Sequence, residues 1–178
     1  MTEKKDVYSE AKSQMRLSER IVAAIPGFRG YKEKELRRES DKLIRNHLYL
    51  KLSNAKGNLK TISQKMADRR YFDVLTDMDR LLAKMDRVAE KINHASYGYT
   101  GFYDIVKVKE GSLDRMIDFD NQLVDGVNSL AAAIDAFKTE LASGETKNMK
   151  DRTQSITDQL DGFEDTFDKR DEVIKGGN

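Results

Sequence analysis

The chain has 178 residues, 35% of them charged and 38% apolar, with a formal net charge of +1, one proline and no cysteine. Without cysteine there is no disulfide framework, thiolate metal site or cysteine nucleophile, and no run of about 18 apolar residues offers a membrane-spanning helix. The length suits one folding unit with a real core, and so much charge with so little proline suits long, largely exposed helices rather than an all-β fold.

The near-neutral total hides an asymmetry. From Arg29 to Arg70 there are 13 Lys/Arg against 5 Asp/Glu, and from Asp114 to Glu172 there are 15 Asp/Glu against 7 Lys/Arg. Such a chain can pack its basic half on its acidic half, or pair head-to-tail with a neighbour. The opening residues lead into a polar–apolar alternation rather than a signal-peptide core. Together with the missing cysteines, this makes a cytoplasmic protein the expectation.

A first helix is predicted from about Asp6 to Ala24, with Val7, Ala11, Met15, Val22 and Ile25 at helical spacing. It stops at Ile25-Pro-Gly-Phe-Arg-Gly30, where proline cannot continue the ladder and the glycines let the chain turn. Tyr31 opens a second helix with an apolar seam of Leu36, Leu43/Ile44, Leu48, Ala55, Leu59, Ile62 and Met66. Glu33–Arg37 and Asp41–Arg45 have i,i+4 spacing and are expected as exposed pairs contributing about 0.3 kcal/mol each. Leu48–Leu52 also alternates with a period of two, but both flanks hold helical period, so the stretch is assigned to the helix. Gly57 is a plausible break, since a mid-helix glycine costs about 1 kcal/mol relative to alanine.

After a turn near Arg69–Phe72, a third helix carries a heptad seam of Leu75, Met78, Leu82, Met85, Ala89 and Ile92. Then comes Ser96-Tyr-Gly-Tyr-Thr-Gly-Phe-Tyr-Asp104, the one place where aromatics and glycines crowd together, followed by the strand-like Ile105–Lys109. Ser112 is a good N-cap for a fourth helix bearing Leu113, Met116/Ile117, Leu123/Val124, Val127, Leu130/Ala131, Ile134, Phe137 and Leu141. This helix is expected to be central and to end at Ser143-Gly144. A fifth runs from about Asn148 to Ile174, with Ile156, Leu160, Phe163 and Phe167 on one face. The fold class is therefore all-α: an antiparallel bundle of about five amphipathic helices with coiled-coil-like packing. It is expected to form one domain over residues 1–178, with residues 1–25 and 145–178 less firmly docked. No internal repeat is evident.

Two stretches carry a resemblance. Ile25-Pro-Gly-Phe-Arg-Gly-Tyr31 with the Glu/Arg-rich helix behind it, and Tyr97-Gly-Tyr-Thr-Gly-Phe-Tyr-Asp104 continuing to Leu113 and Phe119, are similar to a group of uncharacterised prokaryotic helical proteins. That group has a Pro-Gly-x-x-Gly-Tyr turn and a Tyr-Gly-Tyr-x-Gly-x-x-Asp loop. The likeness spans roughly Ile25 to Leu141. It implies a helical architecture and supplies no activity.

Chemistry-bearing motifs are sparse. His94 follows Glu90 by one turn, a ligand-like spacing, but no second Glu-x-x-His motif accompanies it. His94 suits the negative end of the third helix better. His47, the other histidine, lies within the second helix. Gly-x-Ser-x-Gly, Walker A and His-Glu-x-x-His patterns are missing, so no enzyme, metal or cofactor is expected.

Tyr97, Tyr99, Phe102 and Tyr103 are aromatic anchors of the kind that fill interface hot spots, and Phe28 and Tyr31 could join them. The plainer alternative is that these rings plug or cap the ends of the bundle. A basic face of Lys34, Arg37, Arg38, Lys42 and Arg45, with Lys32 and Lys51 nearby, could follow a nucleic-acid backbone. Interleaved Glu33, Glu35, Glu39 and Asp41 weaken its field and make nucleic acid the least favoured partner. The expected function is a non-enzymatic structural or protein-interaction module, docking a protein partner or a second copy through the aromatic-glycine loop. The runner-up is a membrane-associated helical assembly factor of ESCRT-III/PspA-like outline, although Arg16, Glu19 and Arg20 leave the first helix weakly apolar for insertion.

Overall fold

The computed structural model describes residues 19–28, 34–95, 110–145 and 147–174. All described regular structure is helical: α1 (residues 19–24), α2 (Lys34–Asp68), α3 (Phe72–His94), α4 (Glu110–Ser143) and α5 (Met149–Ile174). The expected start of the first helix, the Glu33–Arg37 pair, Tyr31, the aromatic-glycine stretch and Ile105–Lys109 fall outside the described residues. The helix α2 runs unbroken through both Leu48–Leu52 and Gly57. Gly57 does not break it: the residue is exposed, its carbonyl accepts a hydrogen bond from Thr61 Oγ1 at 3.1 Å, and the flanking seam is fully packed. Ser112 does not cap α4, which begins two residues earlier at Glu110.

Strict heptad seams hold the helices together. On α2 the buried line is Leu48, Leu52, Ala55, Leu59, Ile62 and Met66, and on α4 it is Leu123, Val127, Leu130, Ile134, Phe137 and Leu141. The α3 line is Val74, Met78, Leu81, Met85, Val88 and Ile92, so the expected centre at Leu75 and Leu82 is displaced by one residue. Leu75 and Leu82 flank the core half-buried. Seam positions recur 75 residues on, as Leu48 with Leu123, Met66 with Leu141, Met78 with Thr153 and Met85 with Leu160. This is a repeat of burial pattern, with little identity of sequence behind it.

The helices form two antiparallel hairpins, α2–α3 and α4–α5. They lie side by side, with α2 against α4 and α3 against α5. These neighbours across the hairpins run parallel, as the contacts Asn58–Asp135 and Arg87–Glu164 require. Both hairpin turns close with the same helix stop. Tyr71 N–H donates to the Met66 carbonyl and Arg70 N–H to that of Ala67, while Glu145 and Gly144 donate to Glu140 and Leu141. The left-handed residue each stop needs is Arg70 (φ 64°) in the first turn and Gly144 (φ 87°) in the second. Between the hairpins, Arg69 Nη1 donates to the Leu141 carbonyl at 2.6 Å.

The α1 helix covers the α2/α4 side. Ile21, Ile25 and Phe28 enter the core, and Arg20 forms a two-pronged pair with Asp125 of α4 at 2.8 and 2.9 Å. Gly27, at φ 86°, turns the chain beside Leu43.

Candidate functional site: a buried charged layer where the third helix stops

Towards the end of the bundle where α3 terminates, the seam changes character. On α2 the positions below Leu48 are Arg45 and Asp41, on α4 the position below Leu123 is Asp120, and on α5 the position below Phe167 is Arg170. All four are buried, Asp120 and Arg170 completely. Arg45 Nε donates to Asp41 Oδ2 at 2.8 Å, Arg170 Nη1 lies 2.9 Å from Asp41 Oδ1, and Arg170 Nε donates to Asp120 Oδ1. The result is a chain of alternating sign, Arg45–Asp41–Arg170–Asp120, linking α2, α5 and α4. Arg45, Asp120 and Arg170 make further interactions besides these. Ser40 and Asn121 are buried alongside, and Asn121 satisfies itself on the Ile117 carbonyl at 2.9 Å.

The level of this layer explains it. Thr153 against Met78 and Asp120 against Arg170 set the register of the helices, which places Arg45, Asp120 and Arg170 level with Ala95, the C-cap of α3. Of the four long described helices, only α2, α4 and α5 continue past this level. Glu110, where α4 begins, lies ten residues before Asp120, roughly 15 Å further along the axis. Residues 96–109 connect those two points. Asp118, on the same stretch of α4, has its carboxyl pushed up by burial and by the neighbouring Asp114.

A second set of charges closes the α3/α5 side. Lys84, Arg87 and Lys91 on α3 face Asp161, Glu164 and Asp168 on α5, pairing as Lys84–Asp161, Arg87–Glu164 and Lys91 with both Glu164 and Asp168. The Arg87 guanidinium grips Glu164 with two hydrogen bonds of 2.6 and 2.8 Å. That grip, against the opposing effect of burial and helped by Lys91, pulls the Glu164 carboxyl down to about 2. The face that α3 turns to α5 is thus basic, although α3 as a whole carries five acids and four bases, while the basic stretch Arg29–Arg70 lies largely on α2, which packs against α4. On the α2/α3 side, Lys56 pairs with Asp86 and Tyr49 meets Glu90 at 3.5 Å.

The residues expected to bind a partner are placed unevenly. Tyr97, Tyr99, Phe102, Tyr103 and Tyr31 lie outside the described residues. Phe28 is 4% exposed and belongs to the core. Lys34, Arg37 and Arg38 occupy the first turns of α2, their side chains outside the description, and Lys42 is exposed. Arg45 is withdrawn from the basic face: it is buried and paired with Asp41, so that pair is not the exposed one expected. Arg170 and Asp120 were not singled out from the sequence. Their signal was available, because each falls on a heptad position within an apolar line, Arg170 three residues after Phe167 and Asp120 three before Leu123.

His94 Nε2 lies 3.1 Å from Glu90 Oε2, on an exposed face. Among the described residues, no group of three or more His, Asp or Glu side chains is arranged to hold a metal ion. His47 is half-buried, and burial, then nearby Lys51, lowers its affinity for a proton. At the opposite end of the bundle, a depression of about 420 Å³ beside the α4–α5 turn is lined by Phe137, Glu140, Met149 and Arg152, with Arg152 and Glu140 paired across it. No described helix is long and apolar enough to cross a membrane. Compared with models of known protein families, with curated proteins and with solved structures, the chain matches none significantly.

Proposed function

We propose that the chain is a non-enzymatic structural module that docks a protein partner through the aromatic-glycine stretch around Tyr97, Tyr99, Phe102 and Tyr103. The observation carrying this reading is the charged layer at the end of α3. The rest of the seam is almost wholly apolar, yet the chain buries two arginines and two aspartates at the level from which that stretch departs. Buried ion pairs are seldom the most stabilising choice for a core, so fixing the geometry of the bundle where α3 ends and the chain passes into residues 96–109 is the better account of them. The aromatic anchors are the feature of the sequence best suited to recognition.

The membrane-assembly alternative is less well supported, because Ile21, Ile25 and Phe28 already serve the bundle core. The test is recovery of a partner by the tagged chain, identified by mass spectrometry, from cells that produce it. Tyr99→Ser with Phe102→Ser should remove that partner while circular dichroism stays unchanged. Retained recovery, or collapse of helicity, would overturn the docking role of the stretch.

A further inference from the structure

The geometry points to the Arg45–Asp41–Arg170–Asp120 layer as a register lock, which fixes how far one hairpin slides along the other. The need for a lock follows from the seams. On α2, α3, α4 and α5 alike the buried residues recur at alternating steps of three and four. Shifting hairpin α4–α5 by one heptad against α2–α3 therefore sets apolar against apolar again at most levels.

The charges on the α3/α5 side, part-buried though several are, do not forbid the shift. Lys84 and Lys91 are seven residues apart, and so are Asp161 and Asp168, so a slipped bundle pairs Lys84 with Asp168 or Lys91 with Asp161. The contacts of Asn58 with Asp135 and Lys138 lie near the surface, where water can replace them.

The buried layer behaves differently. Each hairpin owns one pair, Arg45–Asp41 on the first and Asp120–Arg170 on the second, and both pairs survive a slip intact. What is lost is the link between hairpins, Arg170 to Asp41 across the α2/α5 diagonal. In one direction of slip, Asp120 and Arg170 come level with Leu52 and Val88, two fully buried apolar residues. A completely buried guanidinium deprived of the Asp41 carboxylate has no water to turn to. A polar group at a seam position is a well-attested way to specify register at the expense of stability. The slip it forbids would displace the end of α3 from the start of α4 by roughly 10 Å. This lock does not depend on whether the aromatic stretch docks a partner.

The chain contains no cysteine, so engineered pairs report register directly. Lys84→Cys with Asp161→Cys marks the observed register, and Lys84→Cys with Asp168→Cys marks the slipped one. Each pair is treated with a short bismaleimide at high dilution and read as cross-linked monomer. In the otherwise unaltered chain only the first pair should link. In a chain that also carries Asp41→Leu, Arg45→Leu, Asp120→Leu and Arg170→Met, the slipped pair should link at least ~10-fold more, with helicity kept and the melting temperature unchanged or raised. A chain without the four charges that still links only the first pair would overturn the lock. Loss of helicity in that chain would also overturn it, because the layer would then supply stability rather than register.

Discussion

Arg170 on α5 reaches across the diagonal of the bundle to Asp41 on α2, Nη1 to Oδ1 at 2.9 Å, while its Nε holds Asp120 on α4. One fully buried side chain thereby ties together three helices from both hairpins. Removing it alone takes from two buried carboxylates an arginine they share, leaving Asp41 with Arg45, which is far costlier than replacing the whole network by apolar groups. Arg170→Met should lower the unfolding free energy by about 3–5 kcal/mol, measured by urea denaturation followed by circular dichroism.

Glu164 gives the fold a defined acid response. Its folded carboxyl titrates at about 2 against an ordinary value of 4.5, so the unfolded chain binds the proton more readily. The stabilisation it confers is complete above the unfolded value and is lost as pH falls through the folded one. Arg87 is more than half exposed, and its partial hydration discounts the size of the effect. Glu164→Gln should cost about 1–2 kcal/mol at pH 7, and that difference from the parent should shrink between pH 5 and pH 2, falling to almost nothing below about 2. Denaturation curves at stepped pH would measure it.

Three helical glycines differ in what surrounds them. A Cβ on Gly57 or Gly162 meets nothing within 4 Å, whereas one on Gly126 comes within 3.2 Å of the buried Phe163 ring. Alanine at Gly57 or Gly162 should therefore gain about 0.5–1 kcal/mol from helix propensity alone. Alanine at Gly126 should fall short of that gain by about 1 kcal/mol, because the ring has little room to retreat. Guanidinium denaturation of the three single variants would rank them.

The two hairpin turns offer a matched comparison. Arg70 and Gly144 hold equivalent left-handed positions in the same kind of helix stop, yet only one is the residue suited to it. Arg70→Gly should raise stability by about 0.5–1 kcal/mol, and Gly144→Ala should lower it by about 1 kcal/mol. Thermal melts of both variants beside the parent would show the opposite signs.

Much of the helical framework was legible in the sequence, because apolar residues at steps of three and four announce a buried stripe whatever covers it. The stop at Pro26-Gly27 and the end at Ser143-Gly144 were equally legible, since backbone chemistry alone decides them. What escaped notice depends on residues far away in the chain. Leu75/Leu82 and Val74/Leu81/Val88 are adjacent apolar lines on α3, and only the facing helices decide which one is central. Asp41 and Arg45 read as an exposed i,i+4 pair until Arg170 arrives from the far end of the chain. Gly57 read as a possible break because its local penalty is visible, while the packing on either side that outweighs it is not.

The claim on which the rest turns is the order of helices around the bundle, with α3 beside α5 and diagonal to α4. Cysteines replacing Arg87 and Glu164 test the first relationship, and cysteines replacing Arg87 and Asn128 test the second at the same level. With a short bismaleimide, the Arg87/Glu164 pair should give cross-linked monomer and the Arg87/Asn128 pair should not. Cross-linking of the second pair with failure of the first would contradict the arrangement.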